Sequence, residues 1–179
     1  ICAEWEFGGL PAWLLEEDLR IRSSDLAFIE AVDRYYERLL GLLTPYQVDQ
    51  GGPILMMQVE NEYGSYGEDK DYLRAIRDLM KEKGVTCPLF TSDGPWRATL
   101  RTGTLIEEDL FVTGNFGSKA AYNFGQMKEF FNEYGKKWPL MCMEFWDGWF
   151  TRWKEPVIQR EPEELAEAVH EVLELEIGR

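Results

Sequence analysis

Two stretches of this sequence end an apolar run in a carboxylate. The first is residues 53–57 followed by Gln58-Val59-Glu60-Asn61-Glu62-Tyr63-Gly64. The second is residues 139–143 followed by Glu144-Phe145-Trp146-Asp147-Gly148-Trp149. An apolar run of that length closing in polar residues reads as a buried strand that delivers its last side chains into a loop. If the strand stays regular, Glu60 and Glu62 share one face and Asn61 takes the other. Strand-terminal glutamates beside tryptophans point to glycoside hydrolysis. That chemistry uses two carboxylates flanking the scissile bond, and aromatic faces suit the C–H faces of a sugar ring. A carboxylate metal site at Glu60, Glu62 and Glu144 is a weaker alternative. Asp93, closing a further strand, is a candidate supporting residue, while Glu60 reads as structural rather than catalytic.

The elements that must position these residues alternate along the chain. Ser23-Ser24-Asp25 is a capping cluster ahead of a helix over 26–43, where Phe28, Val32, Tyr35, Tyr36, Leu39, Leu40 and Leu43 recur at helical spacing. Gly51-Gly52-Pro53 breaks the chain before the first glutamate strand. A second helix is expected over 69–83, ended by Gly84. Strands follow over 85–91 and 110–113, read as consecutive, then a helix over 122–134, the second glutamate strand, and a last helix from about 161 with Pro162 in its first turn. Its apolar face is Leu165, Ala168, Val169, Val172 and Leu173. Strands alternating with helices imply parallel pairing. Loops rich in Glu, Asn, Asp, Gly or Trp after each strand suit a (β/α)8 barrel, whose active site lies on that face. An open doubly wound sheet is the alternative, but its glycine-rich phosphate loop is not visible. A closed barrel usually needs about 250 residues, so the 179 residues here are expected to form a single, partial TIM-barrel domain over 1–179, cut from a longer chain.

Composition excludes several classes. With 45% hydrophobic and 29% charged residues the balance is that of a soluble globular chain, and a net charge of -14 argues against a nucleic-acid partner. No apolar run approaches the length of a membrane span. The three cysteines, Cys2, Cys87 and Cys142, form no CxxC pair. They read as buried free thiols, an odd count that slightly favours a reducing, cytoplasmic compartment. The one histidine, His170, sits in a charged helical pattern, against a histidine metal site or a serine or cysteine nucleophile with a histidine base.

The run Cys2-Ala3-Glu4-Trp5-Glu6-Phe7-Gly8-Gly9-Leu10-Pro11-Ala12-Trp13-Leu14, with Ile21-Arg22-Ser23-Ser24-Asp25, resembles the glycoside hydrolase family 35 β-galactosidases. Gly51-Gly52-Pro53, residues 58–66, Phe90-Thr91-Ser92-Asp93-Gly94, Glu144-Phe145 and Gly148-Trp149 continue the likeness over nearly the whole chain. The resemblance implies a retaining β-galactosidase on a (β/α)8 barrel, running here from about the end of strand 3 through the helix after strand 7. Its acid/base and nucleophile end strands 4 and 7. On the matching positions Glu62 is the acid/base, Asn61 the asparagine before it and Glu144 the nucleophile. Ala3, Glu4 and Trp149 line the galactose pocket, with Glu4 on hydroxyls. Trp146 and Trp96 are further pocket candidates. Leu26 stands where many relatives have proline, and the Gly-Gly-Thr-Asn-Phe motif of a later strand is absent.

The implied reaction is double displacement. Glu144 attacks the anomeric carbon, and Glu62 protonates the leaving oxygen and then deprotonates water. Retention needs the carboxyls roughly 5–5.5 Å apart, where the charge on Glu144 is expected to keep Glu62 protonated for the first step. Asn61 is expected to hold the sugar 2-hydroxyl. No metal or organic cofactor is needed, and the partner is a β-galactoside. Another retaining β-glycosidase of the same clan, or a non-catalytic carbohydrate-binding piece, remains as an alternative.

Overall fold

The computed structural model describes residues 9–16, 18–146, 148 and 151–177. Among these residues four strands, β1 (Met57–Gln58), β2 (Leu89–Asp93), β3 (Phe111–Asn115) and β4 (Cys142–Glu144), form one parallel sheet in the order β1-β2-β3-β4. A doubly wound sheet reverses its strand order at a switch point. These four strands run in sequence with no reversal, as they would in an arc of a barrel. Among the described residues β1 pairs only with β2 and β4 only with β3, so both edges are open.

Among the described residues five helices connect and flank the strands: α1 (Leu26–Leu43), α2 (Lys70–Glu82), α3 (Arg97–Gly103), α4 (Ala120–Glu133) and α5 (Pro162–Ile177). The α1 boundaries are those the apolar spacing implies. Asp25 caps it, accepting from the Ala27 amide at 3.0 Å, so one of the first-turn donors is satisfied by a side chain. Asp69 does the same for α2 and also accepts from Ser24, tying the two helix starts together. Gly84 ends α2 with φ +92, a conformation that costs glycine little.

Three expectations need correction. Residues 85–110 do not carry two consecutive strands, because α3 and a short 3-10 turn (Ile106–Glu108) lie between β2 and β3. The first glutamate strand is two residues long, and Leu55 before it is 67% exposed rather than buried. On α5 only Val172 of the expected face is buried, while Val169 and Leu173 are exposed.

The core divides between the two helix layers. Phe28, Val32, Leu40, Tyr72, Leu73 and Ile76 pack between α1 and α2. Phe116, Phe124, Met127, Phe130, Phe131 and Val112 pack between α4 and the sheet. β2 is buried along its whole length, which fixes the loops that leave its C-terminal end.

Candidate functional site

The C-terminal ends of the strands all face one side of a parallel sheet, and they end in polar residues: Asp93 on β2, Asn115 on β3 and Glu144 on β4. Glu62 follows β1 by a short loop. β2 and β3 therefore separate the Glu62 stretch from the Glu144 stretch.

The strand-parity expectation fails here. β1 ends at Gln58, and Glu60 and Glu62 both take left-handed backbone conformations, φ 59 and φ 46. Left-handed residues break the alternation of a strand, so the two glutamates leave in different directions. Glu60 turns toward the α1–α2 side. It receives a two-pronged pair from Arg22, at 3.0 Å from Nε and 2.8 Å from Nη2, and accepts from the Tyr72 hydroxyl at 2.6 Å and the Asn61 amide at 2.7 Å. Burial pushes the Glu60 carboxyl up, but the Arg22 guanidinium and these donors hold it below the ordinary carboxylate range. Burial, then the neighbouring Glu60 charge, drive the Tyr72 phenol far above its usual range, so it donates and stays neutral. Arg22 stacks 4.1 Å from the centre of the Tyr66 ring and donates to the Asn61 carbonyl at 2.8 Å. Both Glu60 oxygens are thus engaged by Arg22, Asn61 and Tyr72, which ties the loop to the α1–α2 side. Among the described residues no group of three or more His, Cys, Asp or Glu is placed to hold a metal ion.

Glu62 turns toward β3. The Asn115 side-chain amide donates to Glu62 Oε1 at 3.1 Å, and Asn115 Oδ1 accepts from Ser92 Oγ at 2.5 Å. Asn115 is fully buried and in register with Glu144, while the Phe116 amide donates to the Glu144 carbonyl at 3.0 Å. One strand end therefore links both glutamates, through its side chain to Glu62 and through its backbone to Glu144. Trp146 Nε1 donates to Glu144 Oε2 at 3.2 Å. Gln58 Nε2 donates to Asn61 Oδ1 at 2.8 Å, which fixes the Asn61 amide with its Nδ2 available as a donor. Trp96, Tyr122 and Trp146 line a cavity of about 500 Å³ beside the loop after β3 and the start of α4.

The structure brings Glu62, Asn61, Glu144, Trp146 and Trp96 to one end of the sheet. Ala3, Glu4 and Trp149 lie outside the described residues, as does Cys2. Cys87 and Cys142 are free thiols. Asn115 is a residue that sequence reasoning passed over, because Gly114-Asn115 resembles a turn. The signal that could have found it is its position: a polar residue ending a buried strand between two strands that also end in carboxylates.

A parallel sheet whose strand tips gather two carboxylates, donor amides and indole rings defines the class of protein: an α/β scaffold with a carboxylate site at the C-terminal face of its sheet. The chain belongs to glycosyl hydrolases family 35, whose sequence profile matches residues 1–178. It is 36% identical over 177 residues to Beta-galactosidase 8 of Oryza sativa subsp. japonica, covering 97% of this chain and 26% of that protein. It is 39% identical over 176 residues to Beta-galactosidase of Homo sapiens (97% and 25%) and 41% identical over 180 residues to Beta-galactosidase of Canis lupus familiaris (97% and 26%). The chain spans about a quarter of the length of these relatives. Among the described residues no helix is long and apolar enough to cross a membrane.

Proposed function

We propose that this chain forms the catalytic arc of a retaining β-galactosidase, the part of a (β/α)8 barrel from about the end of strand 3 through the helix after strand 7. The sheet edges left open among the described residues and the quarter-length match to the relatives support its working within a longer barrel. The observation that carries the reading is the Asn115 bridge. It holds Glu62 by a side-chain amide and runs in register with Glu144, so two carboxylates flank one buried strand end.

In the first step the Glu144 carboxylate attacks the anomeric carbon of a terminal β-galactose. The bond to the aglycone oxygen breaks, and Glu62 gives that oxygen its proton, leaving a galactosyl ester on Glu144. In the second step Glu62 takes a proton from water, whose oxygen attacks the anomeric carbon and releases Glu144. Trp146 steadies one oxygen of the nucleophile. The Asn61 Nδ2, freed by the Gln58 contact, donates to the sugar 2-hydroxyl, and Ala3, Glu4 and Trp149 complete the galactose pocket. The reaction needs no metal or organic cofactor.

The test is covalent trapping. The complete polypeptide is incubated with 2-deoxy-2-fluoro-β-galactosyl fluoride, digested and mapped by mass spectrometry. A sugar adduct on the peptide carrying Glu144 is expected. No adduct, with a control enzyme labelling normally, would move the assignment to another glycone or to a binding role.

A further inference from the structure

Glu62 sits in a backbone conformation that a glutamate does not favour, with φ 46 and ψ 38. Non-glycine residues in this region cost about 1–3 kcal/mol and persist only where the surroundings over-determine them. The surroundings here are the last two residues of β2. The Glu62 amide donates to the Ser92 carbonyl at 3.0 Å, and the Gly64 amide, two residues on, donates to Asp93 Oδ1 at 2.7 Å. The chain is thus tied to the end of β2 at Glu62 and again at Gly64, within the turn Tyr63–Ser65.

The contact is tight on every side. Asp93 is 1% exposed. A Cβ on Gly64 would lie 2.0 Å from the Thr99 carbonyl oxygen, and one on Gly103 would lie 2.4 Å from Asp93 Oδ2. Gly103 needs glycine because its backbone closes directly on the carboxyl, and Gly64 because it closes on the Thr99 carbonyl of α3. Thr102 Oγ1 lies 3.1 Å from the Gly64 carbonyl oxygen and 3.0 Å from the Ala98 carbonyl of its own helix, so α3 also closes on the turn. Asp93 Oδ2 is buried with no hydrogen-bond partner among the described residues.

We propose that Asp93 is a positioning residue for Glu62: its buried carboxyl, enclosed by Gly64 and Gly103, accepts the Gly64 amide and clamps the turn that presents the acid/base. The proposal rests on the β-galactosidase reading above. Asp93 touches neither sugar nor reacting atoms and acts through the Gly64 amide. An uncharged clamp suits the site. A second fixed negative charge would oppose the charge that Glu62 develops as it gives up its proton. The charged groups facing Asp93 are Glu62 and Glu60 from the loop after β1, and Lys70 from α2. Lys70 is itself paired with Glu107 at 3.5 Å, while α3 presents backbone at Gly103. Burial first, then the neighbouring glutamates, push the Asp93 carboxyl up to about 8 despite the Gly64 donor.

The experiment compares wild type, Asp93→Ala and Asp93→Asn in the complete polypeptide. It measures kcat/KM, which reports the first chemical step, on activated aryl β-galactosides and on galactosides with poor leaving groups. Asp93→Ala leaves the turn loose. It is expected to lose about 10²-fold on poor leaving groups, the scale of a small misplacement of a catalytic group, and far less on activated ones. Asp93→Asn keeps the acceptor for Gly64 and remains within a few-fold of wild type at pH 6. In wild type kcat/KM falls through an extra inflection near pH 8 as Asp93 ionises, and Asp93→Asn lacks it. Equal losses on both substrate types in Asp93→Ala, or an Asp93→Asn variant as impaired as the alanine at pH 6, would overturn the positioning role. Where the alanine variant does not fold, persistence of the inflection in Asp93→Asn overturns it instead. A wild type inert toward every β-galactoside would sink the reading on which the role rests, an outcome distinct from these.

Discussion

The Asn115 side-chain amide donates to Glu62 Oε1 at 3.1 Å, and its own oxygen is held by Ser92 Oγ at 2.5 Å. The Ser92 contact fixes which end of the amide faces Glu62, because the hydroxyl donates to the oxygen and leaves Nδ2 for the carboxyl. A hydrogen bond to an ionisable group is worth about 1.5–3 kcal/mol. Asn115→Ala is therefore expected to lower kcat/KM by about 10- to 100-fold, while the Glu144 carboxylate still displaces fluoride from the bound trapping sugar at an unchanged rate, since fluoride leaves without a proton. Ser92→Ala, which only frees the amide to rotate, should lose less in the same direction. A fully active Asn115→Ala would remove the bridge from the mechanism.

Glu62 is proposed to act as acid in the first step and base in the second. Glu62→Ala should cost substrates with poor leaving groups about 10²–10⁴-fold, the range of general acid catalysis. Activated aryl galactosides, which depart without a proton, should keep most of their first-step rate. Steady-state and pre-steady-state rates on the two substrate types decide the matter, and equal losses would argue against the acid role.

Arg22 and Glu60 form the buried pair behind the site, with side chains 17% and 3% exposed. Removing one partner of such a pair leaves the other charge uncompensated and costs about 3–5 kcal/mol. Arg22→Ala should lower the unfolding free energy by that amount in denaturant titrations of the complete polypeptide. Arg22→Lys should recover little of it, because a lysine cannot make the two-pronged contact to Glu60 or stack flat on Tyr66. The measurement also tests whether Glu60 anchors the loop, since a loosened loop would lower activity along with stability.

Some of this was legible in the residues and some was not, for identifiable reasons. α1 could be read from end to end because its apolar spacing and the Asp25 cap act within one turn of the chain. Glu144 could be read as a strand-end carboxylate for the same local reason, and Glu62 as a carboxylate just beyond a strand. α3 was missed because residues 97–103 are short and polar, and their helix is held by packing against the β1–α2 loop rather than by periodicity. The separation of Glu60 from Glu62 was missed because it depends on two left-handed residues that long-range contacts enforce. Arg22 lies 38 positions before Glu60, and Asp93 lies 29 positions beyond Gly64. Contacts of that span leave no local pattern.

The Asp93 carboxyl also sets a pH dependence of stability with a definite sign. Its folded-state value is raised to about 8 from an ordinary value of 3.8, chiefly by burial. Between those values the folded protein holds a proton that the unfolded chain releases. Stability from this group is thus fully present below the unfolded value and declines as pH rises toward the folded one. The slope is about 1.4 kcal/mol per pH unit while that difference lasts. Asp93→Asn keeps the shape and has no proton to lose. Its unfolding free energy relative to wild type should therefore rise steadily from pH 5 to pH 8, by an amount on the order of a few kcal/mol, and level off above it. Denaturant titrations at half-unit pH steps measure the difference directly. Parallel pH curves for the two proteins would mean that Asp93 is already ionised in the folded state, and the uncharged clamp would fall with it.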